Sequence, residues 1–503
     1  MRFFKSTSIG CALLLLAFSA QAHTYNMKRL ASKGKDAKSC TEQINKTIQK
    51  ASAKGGGTLY FPAGTYITGA IEMADNITIY LEAGATLSFT SDFDEYLPYK
   101  KVRWEGVFMQ SFKPLIYGDS LKNVSIKGEG TLDGNGEAWQ KAWMQEQEKI
   151  KLNGSVGELN KYQQMWGEQN IGMQVDAYYG KSIGHLFFPP PFVQLLESEN
   201  ILISGVSFIN APLWTINPVG CKDIRIDGVI IENTTTTWNA DGIVPSSCQN
   251  VSISNCNISV GSDCISLKSG RDGSGRSYGR ACENITISNC IMRAGRAAVS
   301  IGSEMSGGVK QVVVSACVFD GTDAGICFNS SRGRGGAVEN IRANNIIMHN
   351  VLGAAISLNP YYDNDQTPER VSVRTPQFRN IHFSNISATN IGLAGELLGL
   401  EEMPTSNVSF SNIQMQAKKG FQVELGEEIE FRNVDISTEI GASLVLKNCN
   451  MVMLDDVRSR QPHQDKPVIE VSNTQGLILI NAVPRVKTNQ YIHLDEASMP
   501  KEN

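Results

Sequence analysis

After its first 22 residues the chain has no apolar run approaching the roughly 20 residues that a membrane-spanning helix needs, so no membrane span is expected. It also lacks an excess of positive charge. Lys and Arg total 46 against 50 Asp and Glu, and a net charge of −4 gives a nucleic acid no electrostatic footing, so none is expected as a partner. No C-x-x-C spacing occurs, which removes the common zinc frameworks. Sustained 3.6-residue apolar periodicity is missing too, and together with 46 glycines this excludes a helical repeat. The acidic stretches "SDFDE" (91–95) and "YYDNDQ" (361–366) lack the ligand spacing of a calcium loop and read as solvated turns. No metal or other cofactor is expected.

What is present begins with an export signal. Arg2 and Lys5 precede the apolar run "IGCALLLLAF", and "AQA" ends at Ala22, the three parts of a secretory signal peptide. Residues 1–22 are therefore expected to be removed, and 23–503 to form one domain in the periplasm or outside the cell. In that setting the ten remaining cysteines could bridge. Most close apolar alternating runs, however, where a thiol packs as a small hydrophobe. Cys282 with Cys290, and Cys221 with Cys248, are the pairs to examine.

One phrase recurs along the chain: "NITIYLEAG" (76), "NVSIKGEG" (123), "NILISGVSF" (200), "DIRIDGVII" (223), "NVSISNCNI" (250), "NITISNCIM" (284), "QVVVSACVF" (311), "NIRANNIIM" (340), "NIHFSNISA" (380) and "NVSFSNIQM" (407). A polar residue, usually Asn, leads β-branched residues at alternate positions, which is strand patterning. From residue 200 the starts are 23, 27, 34, 27, 29, 40 and 27 residues apart, shorter than most propeller blades and suited to one coil of a solenoid. The fold expected is all-β, a parallel β-helix, with the leading asparagines holding turns. "INKTIQKASAK" reads as an amphipathic helix capping the N-terminal end of the solenoid. Residues of about 137–190 break the pattern as an insertion, whose Trp139, Trp143, Trp166, Tyr178 and Tyr179 suit either stacking on sugars or anchoring the loop.

The ordered motifs "GGGTLYFPAGTY" (55–66), "GEGTLDGNGEAW" (128–139), "APLWTINPVGC" (211–221), "NADGI" (239–243), "GSDCISLKSGRD" (261–272), "IGSEMSGGV" (301–309) and "GTDAGICFNSSRGRGG" (321–336) resemble glycoside hydrolase family 28, the polygalacturonase-like family, in its bacterial form. The resemblance spans roughly residues 40–440. It implies a right-handed parallel β-helix and inverting hydrolysis of pectic poly- or oligosaccharide. A monomer is expected. The family motifs N-T-D, D-D, G-H-G and R-I-K place site residues at Asp241, at Ser262 with Asp263, at Arg296, and at Cys327 with Asn329. Asp241 and Asp263 are thus the expected catalytic pair. Ser262 stands where the family's proton donor would be, Arg296 replaces a histidine, and the arginine and lysine of R-I-K are gone.

Inverting hydrolysis needs one protonated carboxyl and one carboxylate, so two aspartates suffice if one changes role under its neighbour's influence. Glu304 and Asp323 are candidate replacement donors, each also suited to a structural task. Lys268 is expected to contact sugar. Arg271 and Asp272 are read as closing the next loop. Asn239, Lys268, Arg296, Glu304 and Asn329 make up the expected substrate-binding set. Arg296 can take over a substrate carboxylate by paired charged hydrogen bonds, or instead pair with Asp263 or Asp241 and rigidify a site that no longer turns over. Without that carboxylate contact the sugar cleaved would be neutral, such as rhamnose, which points to a rhamnogalacturonan-type substrate. The rival reading is a non-catalytic carbohydrate-binding β-helix that has lost its general acid at Ser262.

Overall fold

The computed structural model describes residues 23–31, 37–154, 156–171, 186–234, 236–363 and 367–499. The expected export signal at 1–22, as well as Tyr178 and Tyr179, lies outside them. Nearly every strand pairing among the described residues is parallel, and each strand stacks on one a coil away. The chain is a parallel β-helix. The alternating residues explain why: one inward row runs Ile79, Ile126, Ile203, Ile226, Ile253, Ile287, Val314, Ala343, Phe383, Phe410, Phe431 and Leu454, each in register with the next. No member of that row is more than 2% exposed. Toward the C-terminal coils its phenylalanines stack, with ring centroids 5.2 and 4.7 Å apart. Phe421, reaching in from another row, needs room beside them; Gly395 supplies it, since a Cβ there would lie 2.2 Å from the Phe421 ring.

The leading polar residues turn the corners. Asn76, Asn123, Asn200, Asp223, Asn250, Asn284, Gln311, Asn340, Asn380 and Asn407 all have φ between 51° and 62°, the left-handed region that asparagine tolerates. Their side chains bond along the axis, Asn123 Nδ2 to Asn76 Oδ1 at 2.6 Å and Asn200 Nδ2 to Asn123 Oδ1 at 2.7 Å. The helix Ala37–Ser52 covers the N-terminal coils with Cys40, Ile44, Ile48 and Ala51 buried. This cap hides strand edges and core from water.

The insertion contains the helices Glu137–Asn153 and Lys161–Gln169. Trp139, Trp143 and Trp166 are buried, packed among Phe93, Phe112, Phe187 and Phe188. Trp139 and Trp143 therefore anchor the insertion to the scaffold, on Phe93 and Phe112 and on Trp104 respectively, and Trp166 packs on Phe188 within it. The ten cysteines from Cys40 to Cys449 are free thiols and buried, so neither pair singled out in the sequence is bridged. In the first acidic stretch Asp92 caps a short helical turn and Asp94 pairs with Lys161 of the insertion at 2.7 Å; residues 364–366 of the second lie outside the described residues.

Candidate active site

Register builds the site. Ile243, Ile265, Val299 and Ile326 stack on successive coils, so the residues just before them share one edge of a sheet. Asp241 and Asp263 occupy that edge on adjacent coils, with Asp263 N donating toward Asp241 Oδ1 at 3.4 Å and Gly242 N bonding Asp263 O at 2.9 Å. Arg296 follows on the next coil, its N–H bonded to Ser262 O at 2.9 Å. Lys268, Glu304 and Asn329 come from the opposite ends of the same strands. Asn239, Asp241, Ser262, Asp263, Lys268, Arg296, Glu304 and Asn329 thus line one cleft of about 390 Å³. Asp323 is exposed and is not among its lining residues.

Burial sets the charges. Asp241 is 1% exposed, and burial, then the Asp263 charge, push its carboxyl up to about 7, against the pull of Lys268 and a hydrogen bond from Ser262. Lys268 Nζ lies 2.7 Å from Glu304 Oε2, 3.1 Å from Gly302 O and 4.0 Å from Asp241 Oδ2. Burial works against the charge of this ammonium. The surrounding Glu304, Asp241 and Asp263 outweigh burial and hold it charged. Glu304 shows the converse balance: burial opposes its ionisation, but Lys268 prevails and holds it down to about 2. Glu304 is therefore an anion at any working pH and has no proton to give.

The walls come from far away in the chain. An antiparallel hairpin, Lys100–Trp104 with Val107–Ser111, is pinned by Arg103, whose backbone is bracketed by Gln194 at 3.1 and 2.8 Å and whose guanidinium reaches Ser247 at 3.0 Å. At the hairpin's tip Glu105 accepts from Asn239 Nδ2 at 2.6 Å and faces Arg271 at 3.7 Å. The tip lies so close to Arg271 that a Cβ on Gly106, with φ of 87°, would meet its backbone N at 2.8 Å. Asn239 also accepts from Trp214 Nε1 at 3.1 Å. Asn239 is thus held in place from both sides. Trp238, 39% exposed, stacks on Trp143 of the insertion with centroids 4.7 Å apart.

On the other side Arg334 pairs with Asp272 at 2.8 Å and Asp363 at 3.3 Å. Arg296 differs from Arg271 and Arg334. It is exposed to the cleft, hydrogen-bonds Tyr362, senses Asp263 and Asp241 only at longer range, and forms no ion pair with a described carboxylate. Asn329 Nδ2 lies 3.5 Å from Cys327 Sγ, a thiol pushed up to about 12 by burial. Glu105, Trp238, Tyr362, Arg334 and Asp363 line the cleft as well, and sequence reasoning missed all of them as site residues. The tryptophan immediately before "NADG" was the one readable signal.

A solenoid that sets one carboxyl protonated near neutrality beside a second carboxyl, in an open polar cleft, has the equipment of a polysaccharide hydrolase. Similarity to known proteins narrows that class. Residues 181–428 match the model of Glycosyl hydrolases family 28. The crystal structure of a hyperthermoactive exopolygalacturonase from Thermotoga maritima superposes with a TM-score of 0.71 at 30% identity, covering 82% of this chain and 92% of that one. A probable polygalacturonase of Vitis vinifera is 28% identical over 80% of this chain and 76% of its own. An endo-polygalacturonase of Pectobacterium carotovorum subsp. carotovorum is 26% identical over 83% and 96%. The chain belongs to glycosyl hydrolase family 28, as a polygalacturonase-like glycosidase with the right-handed β-helix of its structural relatives.

Proposed function

We propose that this chain hydrolyses glycosidic bonds in pectic poly- or oligosaccharide, with Asp241 as proton donor and Asp263 as the base that activates water. The observation that carries the proposal is the pairing of a fully buried and a partly exposed carboxyl on adjacent coils of one cleft. Such a pair divides the labour of inverting hydrolysis: the environment that disfavours charge makes the acid, and the wetter one makes the base. Ser262 cannot deliver a proton at neutral pH. Its hydroxyl instead bonds Asp241, and the donor's task passes to that neighbouring coil.

Substrate charge is read by Arg296. Arg271 and Arg334 already have carboxylate partners, which leaves Arg296 to meet a galacturonate carboxylate. One such clamp, where the family motif would provide two cations, suits a rhamnogalacturonan-type chain in which charged and neutral sugars alternate. The half-exposed Trp238 offers an apolar face to a ring, and Asn239 and Asn329 offer amides to its hydroxyls. The described lining of the cleft comes from one chain, which supports action as a monomer, and the signal-like pattern at 1–22 supports action in the periplasm or outside the cell.

The test is product release from a panel of homogalacturonan and rhamnogalacturonan oligosaccharides by wild type, Asp241→Asn and Asp263→Asn. Both variants are expected to lose activity by 10³-fold or more, on the order of 4 kcal/mol. Equal product from Asp263→Asn and wild type would refute its role. Ser262 keeps the binding-protein reading in view. A glycan that raises the melting temperature without any cleavage over days would favour that reading over hydrolysis.

A further inference from the structure

Beneath the two proposed catalytic aspartates lies a second buried ionic group that donor and base do not by themselves require. Lys268 and Glu304 are each 6% exposed and sit on neighbouring coils, tied by Ser269 N to Glu304 O at 2.7 Å. The ammonium has two carboxylates to choose from, Glu304 at 2.7 Å and Asp241 at 4.0 Å. It also lies 5.0 Å from the centre of the Trp214 ring, which closes one side of its cage. An opposite charge within about 4–6 Å favours the ionised form of a carboxyl. A lysine left to Asp241 alone would therefore strip the proton that a donor must keep.

We infer that Glu304 is a positioning residue for the reaction: by taking the short charged bond from Lys268, it reserves the Asp241 proton for the leaving oxygen of the substrate. The inference rests on the reading of Asp241 as donor. The geometry explains why two opposite charges are buried side by side in the lining of the cleft. Lys268 fixes the floor through Gly302 O, and Glu304 cancels its field at the neighbouring carboxyl. The remaining charged groups around Asp241 are Asp263, which raises its proton affinity, and Arg296, which faces the cleft. Arg271 with Glu105, and Arg334 with Asp272 and Asp363, are paired among themselves. Tyr362 bonds Arg296.

The experiment is the pH dependence of kcat/KM on a pectic oligosaccharide for wild type, Glu304→Gln, Lys268→Met and the double variant, with Asp241→Asn alongside. In Glu304→Gln the alkaline limb is expected to move down by about one pH unit or more, so activity at pH 8 falls about tenfold relative to that at pH 5. In Lys268→Met the limb moves up. In the double variant, neutral at both positions, it returns toward the wild-type place, which a merely structural role would not produce. The inference is overturned if Glu304→Gln loses activity in equal proportion at every pH, or if the double variant does not restore the limb. Should Glu304→Gln fail to fold, an unmoved limb in Lys268→Met overturns it equally. An active Asp241→Asn would defeat the donor reading itself, so the two failures are distinguishable.

Discussion

Replacing Asp241 by asparagine should abolish activity and yet stabilise the protein above neutral pH. In the fold the carboxyl sits at about 7 instead of the ordinary 3.8, a displacement worth about 4 kcal/mol. The sign follows from which state holds the proton. Between those two pH values the unfolded chain has released it while the folded chain keeps it, so wild-type stability falls as pH rises through the window. Asparagine has no such proton. Asp241→Asn and wild type should therefore unfold alike near pH 4, and the variant should lead by on the order of 3–4 kcal/mol at pH 8, read as a higher denaturant midpoint at unchanged slope. Wild-type kcat/KM should fall about tenfold per unit above pH 7 as Asp241, the proposed donor, deprotonates. A stability difference that does not change between pH 4 and pH 8, or a rate flat to pH 9, would refute the account of Asp241 as a buried acid.

Three further outcomes are expected. Arg296→Ala should raise KM for galacturonate-containing oligosaccharides by about 10–100-fold, the worth of a charged hydrogen bond at 1.5–3 kcal/mol, and leave the melting temperature unchanged because no ion pair is lost; a change in melting temperature alone, measured by calorimetry, would make it structural. Glu304, held down to about 2 from 4.5, should contribute stability that is fully present above pH 4.5 and lost as pH falls toward 2, on the order of 3 kcal/mol; acid titration of Glu304→Gln should show that loss removed. Ile253→Ala, at a fully buried row position, should cost about 2–5 kcal/mol in denaturant unfolding without altering KM.

The coil was legible because its rule is local. Asn250 and Asn284 turn the chain with φ of 58° and 59°, and Ile253 and Ile287 follow at the same offset to stack in register. Asp241 and Asp263 were legible for the same reason: 22 residues separate them, one short coil, so what puts Ile243 on Ile265 puts one aspartate beside the other. Glu105 obeys no such rule. It reaches Asn239 across 134 residues on a hairpin that belongs to no coil, and nothing in "RWEGVF" marks its destination. Trp238 was missed because its support, Trp143, arrives from the insertion, a segment with no periodicity to follow.

The charge state of the floor was beyond sequence for a different reason. Lys268 and Glu304 are ordinary cleft residues in one dimension, each suited to a sugar hydroxyl. Their separation of 2.7 Å and their burial decide that they spend their charges on each other, and this leaves Asp241, among the described residues, the only deeply buried carboxyl in the cleft whose proton is not taken by a cation. Ser262 then ceases to be merely a missing acid. A carboxylate at that position, hydrogen-bonding distance from Asp241, would add a like charge to a site that already contains Asp263 and compete for the same proton. Ser262→Asp is thus expected to move the donor's task, and not simply to add a second donor. The alkaline limb of kcat/KM would then belong to the coupled pair, and Asp241→Asn, expected to abolish activity in the natural chain, should become tolerable in the Ser262→Asp background. If the double variant is as inactive as Asp241→Asn alone, the two positions are not interchangeable, and the serine has a role in holding Asp241 that no acid can fill.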